Sequence, residues 1–213
     1  MRIKRQITSY LLLNLTIWGI GIGLSACERP PSYPNVPEIE FGSLQYIDQS
    51  GPQKDTLLIS INFKDGDGDL GLTGEETAPP FNFAILGART NSGGDTIEIL
   101  TNPNYYNFFC DFYIKKAGVF ERVLDFNLDD GIPYQVPVDP FYYRFPLLNA
   151  DLKKGPLEGT IKIALENSFF QRFDGLGTFL PTDTLKLRIY IRDRALNNSN
   201  TIESQQFTIP AYQ

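Results

Sequence analysis

Apolar and polar positions alternate along most of this chain, in short runs, and no stretch sustains a 3.6-residue stripe. Leu57, Ile59, Ile61 and Phe63 share one parity, while Ser60 and Asn62 take the other. Leu185, Leu187, Ile189 and Ile191 alternate with Lys186, Arg188, Tyr190 and Arg192, and Ile161, Ile163 and Leu165 with Thr160 and Lys162. A period of two sends one set of side chains into a core and the other into water, so these runs predict half-buried strands. The same signal, with β-branched and aromatic enrichment between Gly, Pro, Asn and Asp, predicts strands over 39–47, 57–63, 81–88, 96–100, 108–115, 119–126, 142–147, 160–166, 185–192 and 202–209. Lys116, Ala117 and Gly118 read as a hairpin turn. Cys110, in phase with Phe112 and Ile114, reads as a small buried apolar residue. The expectation is an all-β chain folded as a β-sandwich.

The N-terminus breaks this pattern. Arg2, Lys4 and Arg5 precede an apolar run from Leu11 to Leu24, followed by Ser25, Ala26 and Cys27. Fourteen helical residues reach about 21 Å, short of the roughly 30 Å hydrocarbon core of a bilayer, so the run reads as an export signal rather than a permanent span. Leu24, Ser25, Ala26 and Cys27 resemble the lipobox of bacterial lipoproteins. That resemblance implies cleavage after residue 26 and lipidation of Cys27, hence a membrane anchor without a transmembrane segment. Residues 28–38, ERPPSYPNVPE, hold four prolines and predict an extended, semi-rigid tether. The expected organisation is a signal peptide over 1–26, a Pro-rich tether over 27–38 and a single β-sandwich domain over 39–213.

The densest chemistry follows the strand at 57–63. Asp65, Asp67 and Asp69 occupy alternate positions, and Gly71, Thr73 and Glu76 follow at offsets that match the one, three, five, nine, twelve spacing of an EF-hand loop. Leu70 stands where that loop needs glycine, and strands flank it instead of helices, so the motif is a DxDxDxG cation loop of another kind. Carboxylates about 6 Å apart repel by roughly 3 kcal/mol per pair at an effective dielectric near 20. A hard divalent cation removes that cost, and in a chain with no histidine calcium suits an all-oxygen site better than zinc. The alternative is a solvated Asp- and Gly-rich turn that binds nothing.

A second stretch, Arg192 to Asn200 (RDRALNNSN), resembles the pattern that closes many bacterial immunoglobulin-like and cadherin-like domains. With the lipobox and the DGDGDLG loop, it makes the chain resemble an uncharacterised Bacteroidota lipoprotein with an immunoglobulin-like domain. The resemblance implies a surface or periplasmic accessory role and no activity, and it leaves the middle of the chain unassigned. Ten strands exceed the seven to nine of an immunoglobulin-like sandwich, so residues 77–156 would elaborate it, a second small domain being the alternative. If 57–63 and 185–192 are its strands B and F, the loops after them cluster at one end. Asp193 would then join Asp65, Asp67, Asp69 and Glu76 around calcium, the alternative being an ordinary turn residue whose side chain bonds nearby backbone.

Charge and composition narrow the function. Removing residues 1–26 takes the formal charge from −6 to −9, which disfavours nucleic acid. Without histidine, Ser/His and Cys/His dyads cannot form, although a carboxylate pair could still hydrolyse glycosides. The aromatic doublets Tyr105/Tyr106, Phe108/Phe109, Tyr142/Tyr143 and Phe169/Phe170 either fill a core or offer one ring each to a sugar or a protein partner. Asp55-Thr56, Asp95-Thr96 and Asp183-Thr184 resemble the O-glycosylation site of Bacteroidota secreted proteins. The expectation is a cell-envelope lipoprotein, in the outer membrane in preference to the inner, acting as a calcium-stabilised, non-enzymatic binding or structural module. A glycan-binding accessory lipoprotein of an uptake system is the alternative, and a carboxylate-dependent hydrolase the third reading.

Overall fold

Two strands organise the molecule, β2 (Thr56–Asp65) and β11 (Leu185–Ile191), each central to its own sheet and each apolar on one face. The computed structural model describes residues 31–47, 56–90, 92–94, 96–127, 134–137, 142–149, 151, 153–166 and 183–208. Tyr33–Gln213 forms one compact unit; of the other, Met1–Ser32, only residues 31 and 32 are described. No helix among the described residues is long and apolar enough to cross a membrane.

In the first sheet β2 lies between β1 (Glu38–Ile47) and β10 (Leu157–Glu166), both antiparallel to it. In the second, β11 pairs with β5 (Phe108–Lys116) and with the two-residue β12 (Ile202–Glu203), while β5 also pairs with β6 (Val119–Arg122) and with β9 (Tyr142–Tyr143). Two hairpins stand apart as two-stranded sheets: β3 (Ile85–Thr90) with β4 (Thr96–Thr101), and β7 (Leu124–Asn127) with β8 (Tyr134–Pro137). One core joins the two main sheets. Leu57, Ile59, Ile61, Phe63, Ile161 and Leu165 come from the first, and Phe108, Cys110, Phe112, Ile114, Leu185, Leu187, Ile189 and Ile191 from the second. The architecture is therefore all-β and sandwich-like, with the expected alternation deciding which side chains enter the core.

Several strands are shorter than the alternation predicts, and at three of the four breaks side chains take over part of the pairing. Residues 81–84 are not strand: Asn102 donates its amide to the carbonyls of Pro80 and Asn82, holding them in a turn that follows the cis Pro79-Pro80 bond. The run at 119–126 splits at Val123, which turns into the core. β9 stops at Tyr143 because the Asn107 side chain, itself 1% exposed, donates to the Phe145 carbonyl and accepts from the Phe145 amide. After Glu203, Ser204 Oγ accepts the Leu187 amide, as Ser199 Oγ accepts the Ile191 amide; position 209 lies outside the described residues. The predicted hairpin at 116–118 forms with Lys116 opposite Val119. Cys110 is buried, and burial pushes its thiol well above the ordinary value, so it is inert packing.

Asn107→Ala orphans two buried backbone groups of Phe145 at about 1–3 kcal/mol each, so it is expected to lower stability by about 3 kcal/mol in a denaturant titration. A loss under 1 kcal/mol would show that the amide does not replace a strand pairing.

Candidate metal centre

Asp65 is the last residue of β2, and its side chain falls on the buried parity of that strand, which is why the first acid of the loop is 0% exposed. From there the chain turns tightly. Asp65 Oδ2 accepts the Asp69 amide at 3.0 Å, which folds Asp67 and Asp69 back over it. One carboxylate oxygen from each of Asp65, Asp67 and Asp69 lies within 4.8 Å of the other two. Oxygens that close can share one shell of a hard cation, whose metal–oxygen distances run from about 2.1 Å for magnesium to about 2.4 Å for calcium.

The Oδ1 atoms of Asp65, Asp67 and Asp69 are all buried and accept no hydrogen bond. Native structures rarely leave buried acceptors unpaired, and never cheaply when they carry charge. Two unit charges at this spacing repel by about 3 kcal/mol at an effective dielectric near 20.

Asp193 comes to the same place from the other sheet. It lies two residues beyond the end of β11, is 3% exposed, and repels both Asp65 and Asp69 while Asp67 repels it. Asn197 orients it, donating its backbone amide to Oδ1 at 2.7 Å and its side-chain amide to Oδ2 at 2.8 Å. The Ala195 amide acts on both Asp69 and Asp193, favouring their ionised forms. Burial outweighs these donors. It pushes Asp65 and Asp69 up to about 6, helped for Asp65 chiefly by the charge of Asp67 and for Asp69 by that of Asp193, and it raises Asp193 as well.

Glu76, expected at the twelfth position of the loop, does not join these acids. Its carboxylate meets Arg194 Nη2 at 2.6 Å and Nη1 at 3.0 Å, and accepts the Thr73 amide at 2.7 Å. The loop departs from EF-hand geometry at Leu70, which is fully buried as a core anchor, and the chain then reverses at Gly71. Gly71 has φ +100° and is pressed against Pro146 and Leu147, where a side chain would not fit. Beyond it, the Leu72 amide donates to Phe145 and the Leu148 amide to the Leu70 carbonyl, so the loop continues as a pairing with 145–148.

The arginines around the acids are committed elsewhere. Arg194 holds Glu76, and Arg192 bonds Pro103, Asn104 and Asn198. Arg144 donates to the carbonyls of Thr73, Glu76, Phe81 and Tyr105 and lies over the Tyr105 ring, 4.8 Å from its centre. Among the described residues no ion pair reaches Asp65, Asp67, Asp69 or Asp193. The clamping role of Arg144 has no local signature in the sequence, since its four acceptors are backbone groups brought from three separate segments.

The aromatic doublets are mostly packing. Phe108 and Phe109 are both buried, Phe109 by stacking on Tyr190 at 4.4 Å. Rings from Phe83 through Tyr105, Tyr106 and Tyr142 to Phe109 form a continuous series of edge contacts, and Phe169 and Phe170 lie outside the described residues. A cleft of about 250 Å³ lined by Leu72, Tyr105, Arg144 and Pro146 opens beside the acidic loop, and Phe83, packed edge-on against Tyr105, is 56% exposed. Comparison with family models, curated proteins and solved structures finds no match.

The raised aspartates set a sign for pH. Folding lifts Asp65 and Asp69 above their unfolded value of 3.8, so the folded chain binds more protons between about pH 4 and 6. In a chelating buffer the melting temperature is expected to fall as pH rises through that window and to level off above it. A rise across the window would contradict the burial of unneutralised acids.

Proposed function

We propose that this chain is an exported lipoprotein, cleaved before Cys27 and held to the cell envelope by lipid there, in the outer membrane in preference to the inner. Its β body acts as a non-enzymatic binding or structural module of immunoglobulin-like type, in which calcium joins Asp65, Asp67, Asp69 and Asp193. The observation that carries the calcium reading is the set of three buried, donor-less carboxylate oxygens with a fourth buried aspartate arriving from the opposite sheet. An all-oxygen set of this kind fits a hard cation with a flexible coordination number. Bound there, calcium supplies charge neutralisation and a cross-link between two loops. The burial of Asp65 and Asp193 also favours a structural role over hydrolysis, which needs two carboxylates facing a substrate.

A glycan-binding accessory role is the second reading, favoured by the exposed Phe83 beside the Tyr105 cleft. Stacking of an aromatic ring on a sugar needs such a partly exposed edge or face. Phe83→Ala is expected to abolish retardation of the protein in polysaccharide-containing native gels under this reading; unretarded wild-type protein would end it.

For the calcium reading, adding calcium at tenfold its dissociation constant stabilises by about 1.4 kcal/mol, a rise of roughly 3 °C in melting temperature for a domain of this size. Asp67→Asn is expected to reduce that rise. An unshifted wild-type melting curve at millimolar calcium would end the calcium reading, and an intact mass without acyl chains would end the anchor.

A further inference from the structure

The topology that gathers the aspartates also determines where the tether enters. β1 runs antiparallel to β2, with its first residue Glu38 opposite Lys64, so the chain arrives at the end of the first sheet where β2 delivers Asp65. Immediately before β1, the tether residues lie on the acidic loop itself. Gly66, between the first two aspartates, donates its amide to the Pro34 carbonyl at 2.8 Å, and a Cβ at Gly66 would stand only 2.8 Å from that same carbonyl. Tyr33 donates its hydroxyl to Glu158 at 2.7 Å, and Lys64 Nζ lies 5.7 Å from the centre of its ring. The second sheet has the same polarity: Phe108 and Ile191 pair at the Asp193 end, Ile114 and Leu185 at the other. Those two ends are about 20 Å apart along the strands, and the hairpin at Lys116–Val119 lies beyond the far one.

From these observations, and resting on the lipid-anchor reading above, we infer that the acidic end is the membrane-facing base of the body, and that the cation bound there locks the tether's last residues to β2. Only five residues separate Cys27 from Tyr33, a covalent reach of about 20 Å at full extension. A body held on so short a leash cannot place its tether-entry end far from the lipid. Asp65 and Asp67 flank Gly66 in the chain, so fixing both carboxylates on one ion fixes the amide that holds Pro34. Loosening the loop frees that bond and with it the direction in which the tether leaves. The opposite end, with Val119 64% exposed, faces outward and is the end presented to partners.

The test uses the full lipidated chain in phosphatidylethanolamine/phosphatidylglycerol vesicles whose headgroups carry an energy-transfer acceptor. A donor is placed at Lys153→Cys, beside the acidic loop through the Gly155 amide bond to the Asp67 carbonyl, or at Val119→Cys on the far hairpin. Cys110 is buried and does not compete for label. With calcium, transfer from position 153 is expected to exceed that from 119 at least about twofold, as the roughly 20 Å strand offset requires. Chelation, or Gly66→Ala in the presence of calcium, is expected to shrink the difference, and Gly66→Ala, which keeps all four carboxylates, should still show a calcium-induced rise in melting temperature, smaller than that of the wild type because the coupling is reciprocal. Equal or reversed transfer overturns the orientation, and a difference that neither chelation nor Gly66→Ala changes overturns the clamp. Failure of the anchor reading is distinguished by an intact mass without acyl chains, and failure of the calcium reading by an unshifted melting curve; either also overturns the corresponding half of the inference.

Discussion

Repulsion among four grouped aspartates, Asp65 and Asp193 buried and Asp67 and Asp69 half-buried, is the constraint on which the rest of this structure turns. Asp65 ends the central strand of one sheet and Asp193 follows the central strand of the other. Both strands are fixed by a shared core of Leu, Ile and Phe side chains, so the charges cannot separate by sliding without breaking that packing. The core thus imposes on the loops a cost that the loops alone would never accept. Under the calcium reading proposed above, a hard cation would convert that cost into a cross-link between the sheets.

The surroundings are arranged so that protein cations do not do this job. Each of these arginines is held by neutral or acidic groups outside the cluster: Arg194 by Glu76, Arg144 by four carbonyls and Arg192 by Asn104 and Asn198. These contacts hold the arginines while the Oδ1 atoms of Asp65, Asp67 and Asp69 stay bare. Under the calcium reading, such a site would need little further ordering when an ion binds.

The strands of the two main sheets were legible because their apolar parity is regular: every second residue from Leu57 to Phe63 and from Leu185 to Ile191 is buried as alternation predicts. The grouping of Asp65, Asp67 and Asp69 was legible for the same reason, since the motif is local and follows directly from a strand end. What was not legible depends on contacts distant in the chain. The diversion of Glu76 to Arg194 spans 118 residues, and the Asn107 pairing with Phe145 spans 38. Side chains that stand in for strand pairings, at Asn107, Ser199 and Ser204, shorten predicted strands without leaving any mark in the hydrophobic pattern. The position of the acids at the tether end follows only from the antiparallel register of β1 on β2, which alternation alone does not specify.

Titration calorimetry of calcium into the metal-free chain at neutral pH, wild type beside Asp193→Asn, addresses the central claim most directly. The account predicts a saturable heat with one ion per chain in the wild type and a weaker affinity in the variant, because the fourth carboxylate arrives from the opposite sheet. No saturable heat in the wild type, or identical isotherms for the two proteins, would contradict it.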